Sequence, residues 1–317
     1  MELVLDISFI IISRSEDSIL KNLENIKNII SGTKLSCEII TALGNNPSVQ
    51  RNKAAEEASG EWLYFLDDDS ELDSQSLDYF EIAKEKYPDA FVFGGPSLLR
   101  SEKLDVWQEA VQMVFTSDVG VGPIRSRYLS LGPTRFSSER ELILCNLIIK
   151  KSEFYKLGGF KPELYPNEEN EFLSRIGRTN AVVYSPLIIV YRKHRETILK
   201  FAEQMIGYGK GRTRHFLFSS DYRDYVYFLP LVGLILLSLL VILKFKLKLA
   251  IALLAIYFVV IIPTILINCI YKKSAKLFFN GVLVFGICHI GYAIGLLIGF
   301  FDKKSRVASL VEVRKHL

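Results

Sequence analysis

Trp62-Leu-Tyr-Phe-Leu-Asp-Asp-Asp69 decides how this chain is read. An uninterrupted apolar run of strand length passes straight into three carboxylates. Such a run suits a strand buried on both faces of a sheet. Adjacent aspartates repel one another and need an opposing charge. A hard divalent cation, Mn2+ or Mg2+, takes carboxylate oxygens and keeps positions open for phosphate. Asp67 and Asp69 are therefore the candidate metal ligands of a metal-bridged diphosphate site. The plainer alternative is a solvated acidic turn that caps the next helix.

Working outward, Ile7–Ser13 reads as a strand, and Glu16–Ile30 as a helix with Ile19, Leu23 and Ile26 at helical spacing. Cys37–Leu43 reads as a strand and Gly44-Asn-Asn-Pro47 as a turn. Ser48–Ser59 reads as a helix with Ser48 as its N-cap, Asp73–Tyr87 as a further helix, and Ala90–Phe93 as a strand before Gly94-Gly95-Pro96. Strands alternating with helices predict an α/β domain with a largely parallel sheet. Ligands bind beyond the carboxyl ends of such strands. That places Ser13, Arg14, Asn45 and the three aspartates around one crevice.

Charge divides the 317 residues. Residues 1–190 carry 20 Lys+Arg against 29 Asp+Glu, residues 191–225 carry 8 against 4, and residues 226–317 carry 11 against 2. A uniformly basic nucleic-acid binder is excluded, and four cysteines without a C-x-x-C spacing form neither a zinc site nor a disulfide framework. The runs 226–243, 249–271 and 277–301 are uncharged apart from His289. Each approaches the roughly 20 residues that cross a bilayer core as helix. The expected organisation is a catalytic domain over 1–220, with a basic amphipathic interface segment at 191–222, and a helical membrane domain over 221–317. The collar before the first run (Arg192, Lys193, Arg195, Lys200, Lys210, Arg212, Arg214, Arg223) and the absence of a signal peptide place the globular part in the cytosol. Lys272, Lys273 and Lys276 agree; Lys244, Lys246, Lys248 and the basic tail do not, so a re-entrant third segment stays open. For His289 the expectation is a neutral imidazole bonded to a neighbouring helix.

Val49-Gln-Arg-Asn-Lys-Ala-Ala-Glu-Glu-Ala-Ser-Gly-Glu-Trp-Leu-Tyr-Phe-Leu-Asp-Asp-Asp-Ser70 resembles the donor-site stretch of family-2 glycosyltransferases, which have the GT-A fold: a Rossmann-like, mostly parallel mixed sheet. Further matches follow in order. They are Gly94-Gly95, Asn146, Gly158-Gly-Phe160 and Glu168-Glu-Asn-Glu-Phe-Leu-Ser-Arg175, which is similar to the family's Glu-Asp-x-Glu-Leu-x-x-Arg. The resemblance covers roughly residues 5–215 and implies an inverting hexosyl transfer from a nucleotide-diphosphate sugar, with a UDP-sugar favoured. It implies that Ser13, Arg14, Asn45, Arg51, Asn52, Asp67, Asp68 and Gly95 line the donor site. Glu169, with Glu168 beside it, would take the acceptor's proton, at a pKa raised by the neighbouring glutamates. Leu43-Gly-Asn-Asn46 lacks the aspartate that often ends the family's second strand, so base contacts pass to Asn45, Arg51 or Asp67. Glu171 and Arg175 fit a structural helix pair.

The implied setting is synthesis of a cell-envelope polysaccharide at the plasma membrane, with a lipid-linked or glycan acceptor. Arg212 and Arg214 are candidates for contact with the diphosphate or the membrane surface. No Gln-x-x-Arg-Trp motif is present, which favours transfer of a single sugar. The alternatives are a polyprenyl-phosphate acceptor, which needs no base, a non-enzymatic membrane scaffold with a degenerate domain, and a haloacid-dehalogenase-type phosphatase. The last is disfavoured because Glu71 stands where that motif has Thr or Val.

Overall fold

The computed structural model describes residues 5–100, 104–176, 180–219, 222–242, 247–302 and 311–316. Of the basic residues weighed above, Lys244 and Lys246, and Lys303, Lys304 and Arg306 of the tail, lie outside the described residues, as does the side chain of Arg223. Described residues form two compact units. One draws on Met1–Arg100, Ser126–Arg192 and Lys304–Leu317, the other on Ser101–Arg125 and Lys193–Lys303.

The first unit opens with β1 (Leu5–Ser13), α1 (Glu16–Gly32), β2 (Cys37–Leu43), α2 (Pro47–Glu57) and β3 (Gly60–Asp67). β1 pairs in parallel with β2 and β3, and nearly all of its residues are buried, as an apolar central strand requires. Asn46 caps α2, its Oδ1 accepting from Val49 N at 3.3 Å. Pro47 takes the first helical position, where no backbone donor is needed. Ser48, expected as the cap, is a buried helical residue.

β4 (Glu71–Leu72), α3 (Ser76–Lys86), β5 (Val92–Gly94) and β6 (Ser97–Leu98) follow. Phe80 from α3 packs edge-on against Trp62 and Phe93 beneath the sheet. The second unit's α4 (Val106–Phe115) and α5 (Asp118–Val121) intervene in sequence. The chain then returns through β7 (Arg135–Phe136), β8 (Leu147–Lys150), α6 (Lys151–Lys156), α7 (Glu168–Ile176), β9 (Val182–Tyr184) and β10 (Val190–Tyr191).

The main sheet is mixed. β8 pairs antiparallel with both β3 and β5, and β9 is parallel to β5. β10 joins a separate small sheet between β4 and β6.

In the second unit, α8 (Ile198–Ser219) precedes α9 (Leu229–Ile242), α10 (Leu247–Lys272) and α11 (Lys276–Phe301). Among the described residues, three stretches are long and apolar enough to cross a membrane: Tyr225–Ile242, Leu247–Lys272 and Lys276–Phe301. His289 Nε2 lies 3.0 Å from Val119 O, and its Nδ1 lies 3.1 Å from the Tyr257 hydroxyl. With Nε2 donating and Nδ1 accepting, a neutral ring satisfies both contacts. The last strand, β11 (Glu312–His316), belongs to the first unit and pairs antiparallel with β2, closing that edge of the sheet.

Candidate active site

Parallel register brings the ends of β1, β2 and β3 to one edge, with Ser13 opposite Leu43 and Ile12 opposite Asp67. The acidic run begins there. Ser13 Oγ donates to Asp68 Oδ2. Asp68 is half-buried, and burial raises its carboxyl above the usual range; the serine opposes that rise, and Asp69 and Asp67 add to it.

Two arginines neutralise this edge. Arg51, buried on α2, places Nη2 2.7 Å from Asp67 Oδ1 and Nη1 2.9 Å from Glu168 Oε1. Arg192 follows directly on β10. Its amide donates to Leu98 O at 2.9 Å, which anchors it to the small sheet. Its Nε and Nη2 lie 2.7 and 2.9 Å from the two oxygens of Asp69, and its Nη1 lies 3.1 Å from Asp67 Oδ2.

α7 supplies the glutamates. Glu168 is buried, and its carboxyl is raised to about 7. Burial is the main cause, Arg51 opposes it, and the neighbouring charge of Glu169 adds to it. Glu169 Oε1 meets Arg127 Nη1 at 3.4 Å and the Asn170 amide at 3.1 Å. Glu171 lies between Lys161 and Arg175, at 3.0 Å from each, which makes it a structural ion pair of the helix.

Other residues named from the sequence have different surroundings. Both ends of the Asn52 amide bind the Phe160 backbone: Nδ2 donates to O at 2.7 Å, and Oδ1 accepts from N at 2.9 Å. Gly95 is a close-approach glycine, since a Cβ there would stand 2.1 Å from Ile188 O and 2.3 Å from Ser185 O. Arg14 and Asn45 are exposed beside the strand ends. Arg212 and Arg214 belong to the second unit, where Arg212 stacks over Tyr227 at 4.1 Å and Arg214 pairs with Asp302.

Sequence reading missed Arg192 as a site residue because it stands in a run of cations. What distinguishes it from them is its place directly after β10, a strand of two residues. Arg127, which meets Glu169 and Asn170, carried no motif at all.

A divalent cation at this edge would compete with the two arginines for its ligands. Asp67 is engaged through both oxygens, one by each arginine, and Asp69 is engaged through both by Arg192. Among the described residues, no group of three or more His, Cys, Asp or Glu is arranged to hold a metal. A small cation needs carboxylate oxygens at roughly 2 Å, and a guanidinium already covers those oxygens. As arranged, these residues do not fit the metal.

Residues 8–111 match the family model described as Glycosyl transferase family 2. No curated protein matches the sequence. Among solved structures, the mannosyltransferase PcManGT from Pyrobaculum calidifontis, in complex with GDP-Man and Mn2+, superposes with a TM-score of 0.55 at 13% identity, over 93% of this chain and 88% of that one. TarS 1–349 from S. aureus, in complex with UDP-GlcNAc, gives a TM-score of 0.40 at 13% identity, over 92% and 91% of the two chains. The sheet, the carboxylates at its strand ends and the family match agree on a GT-A glycosyltransferase fold.

Proposed function

We infer that this chain, which carries a family-2 glycosyltransferase domain on a GT-A fold, is a membrane-attached inverting transferase that moves one sugar from a nucleotide-diphosphate sugar to an acceptor hydroxyl. One observation carries the reading: Arg51 joins the strand-end Asp67 to Glu168 on α7, tying a diphosphate-side carboxylate to a pair of glutamates suited to proton transfer.

Leaving diphosphate develops negative charge, and preorganised cations offset such charge most effectively. Arg51 and Arg192 stand at the strand ends for that purpose. Glu169 is the better base of the pair. Both side chains are buried; the Arg51 ion pair takes Glu168 Oε1 at 2.9 Å, whereas Glu169 meets Arg127 and Asn170 through Oε1, and the Arg127 contact is long. A base needs an oxygen able to reach the acceptor hydroxyl. Glu168 then positions Arg51 and holds its own proton close to neutral pH.

GDP-Man in the superposed mannosyltransferase supports a nucleotide-sugar donor, and a UDP-sugar remains our favoured assignment. The apolar helices support a lipid-linked or envelope-glycan acceptor met at the plasma membrane, with the catalytic unit in the cytosol where nucleotide sugars are made. Membranes containing the chain, screened with UDP- and GDP-sugars, should release nucleotide and yield one labelled lipid or glycan product. Absence of turnover with every donor sinks the reading. Product formation that survives loss of both Glu168 and Glu169 carboxylates indicates a phosphate acceptor.

A further inference from the structure

We propose that Arg192 is the built-in cation of this active site, standing where a divalent metal was expected, so that nucleoside-diphosphate binding is independent of metal. The inference rests on the glycosyltransferase reading above. Three observations carry it. Arg192 brings two nitrogens within 3 Å of Asp69, and Nη2 donates a charge-assisted hydrogen bond to Oδ2. Its third nitrogen reaches Asp67, so one guanidinium spans both candidate metal ligands. Its backbone is fixed by the small sheet, which pairs Val190 with Leu72 and with Ser97, so the side chain is delivered to this place by the fold.

A guanidinium offers five N–H donors, more than the contacts to two aspartates take up, and its side chain keeps 21% of its surface exposed. An incoming diphosphate can be met by those remaining donors. Metal and guanidinium exclude each other here, because both require the same carboxylate oxygens.

The test uses the full chain in detergent, with UDP and GDP as probes and Mn2+ followed by its own magnetic resonance signal. The wild type should bind nucleotide equally, within about threefold, in chelator and in Mn2+, and Mn2+ alone should show no saturable site. Arg192→Ala should lose binding at least about tenfold in chelator and gain a Mn2+ site on the vacated aspartates; Arg192→Lys should retain part of the chelator-insensitive binding. Wild-type binding that disappears in chelator and returns with Mn2+ overturns the proposal while leaving the glycosyltransferase reading intact. A saturable Mn2+ site on the wild type overturns it even if the variants fail to fold. Failure of both nucleotides under every condition removes the donor reading, and this proposal with it.

A second observation is independent of the first. β11 pairs with β2 from Glu312 opposite Leu43 to His316 opposite Ile39, so the chain rejoins the N-terminal sheet after its third apolar helix. A sheet lies on one side of a bilayer. Three full crossings between β10 and β11 would separate its strands.

The geometry points to α9 and α10 as a transmembrane pair, with α11 lying in the membrane interface alongside α8. The most apolar window of α11 is 44% buried within the protein, against 11% and 17% for the other two. α8 and α11 touch backbone to backbone: a Cβ at Gly209 would stand 2.2 Å from Tyr292 O, and one at Gly295 2.2 Å from Ile206 O. The helix so closely held carries Lys210 and Arg214, half-buried cations that favour the headgroup region.

Epitope tags before Met1 and after Leu317 should be protected together from protease added to intact cells, and a tag between Ile242 and Leu247 should be cleaved. Cleavage of the C-terminal tag alone overturns the even number of crossings. Protection of the inter-helix tag, with both termini also protected, overturns the α9–α10 pair.

Discussion

Glu168 Oε1 lies 2.9 Å from Arg51 Nη1, and both side chains are buried. The same arginine reaches Asp67 at 2.7 Å with its other terminal nitrogen. One helix of the early chain thus holds together a strand end and a helix more than a hundred residues later. Removing either partner of such a pair leaves a buried charge uncompensated, which is more costly than the pair is stabilising.

Division of labour between the two glutamates is the first expectation. Glu169→Gln should retain nucleotide binding and lose transfer by on the order of 10²–10⁴-fold. Single-turnover transfer and nucleotide titration on the same preparation separate the two quantities. Loss of nucleotide binding in Glu169→Gln, or full transfer by it, refutes the base assignment.

Glu168 should leave a pH signature in stability. Its carboxyl is raised to about 7 in the folded chain, so the native state holds a proton that the unfolded chain has released across the interval from the ordinary glutamate range to neutrality. Stability contributed by this group is full below that interval and is lost as pH rises through about 7. Glu168→Gln mimics the protonated form. The melting temperature of Glu168→Gln minus that of the wild type should therefore rise by on the order of a few degrees from pH 5 to pH 7.5 and then level off. A flat or falling difference contradicts the assignment.

Asn52 should matter to folding before it matters to the donor. Asn52→Ala removes two hydrogen bonds to the Phe160 backbone, each worth roughly 1 kcal/mol, and leaves the Phe160 amide and carbonyl to find new partners. The melting temperature should fall while nucleotide affinity in the folded fraction changes by less than about threefold. An unchanged melting temperature with lost affinity would return Asn52 to the donor site.

Gly95 provides a steric check on the crossing of strands behind the site. Gly95→Ala would drive a methyl into two backbone carbonyls that have no flexible end to move, so a penalty of roughly 1–3 kcal/mol or more is expected, read as reduced yield and a lower melting temperature. Normal stability with weakened nucleotide binding would assign the glycine to the ligand.

Periodicity and punctuation alone determined the first half of the sheet. Unbroken apolar runs at Ile7–Ser13 and Trp62–Leu66, each followed by a helical pattern, leave little choice but parallel strands with their carboxyl ends on one edge, and Asp67–Asp69 is thereby placed at that edge. The three long uncharged runs were equally legible, because a helix apolar on every face must be buried, in a bilayer or in a protein core. Short strands and distant partners were not legible. β8 inserts antiparallel between β3 and β5 from residues 147–150, and β11 adds an antiparallel edge from residues 312–316; a run of four or five residues carries too little pattern to name its neighbour. The counter-charge to the aspartates was the largest gap. Repulsion among three carboxylates demanded a cation, and the sequence left its identity open. Only the tertiary structure brings Arg192 from 123 residues away onto Asp69, because the charges that compensate a cluster are chosen by spatial proximity, which separation along the chain does not encode.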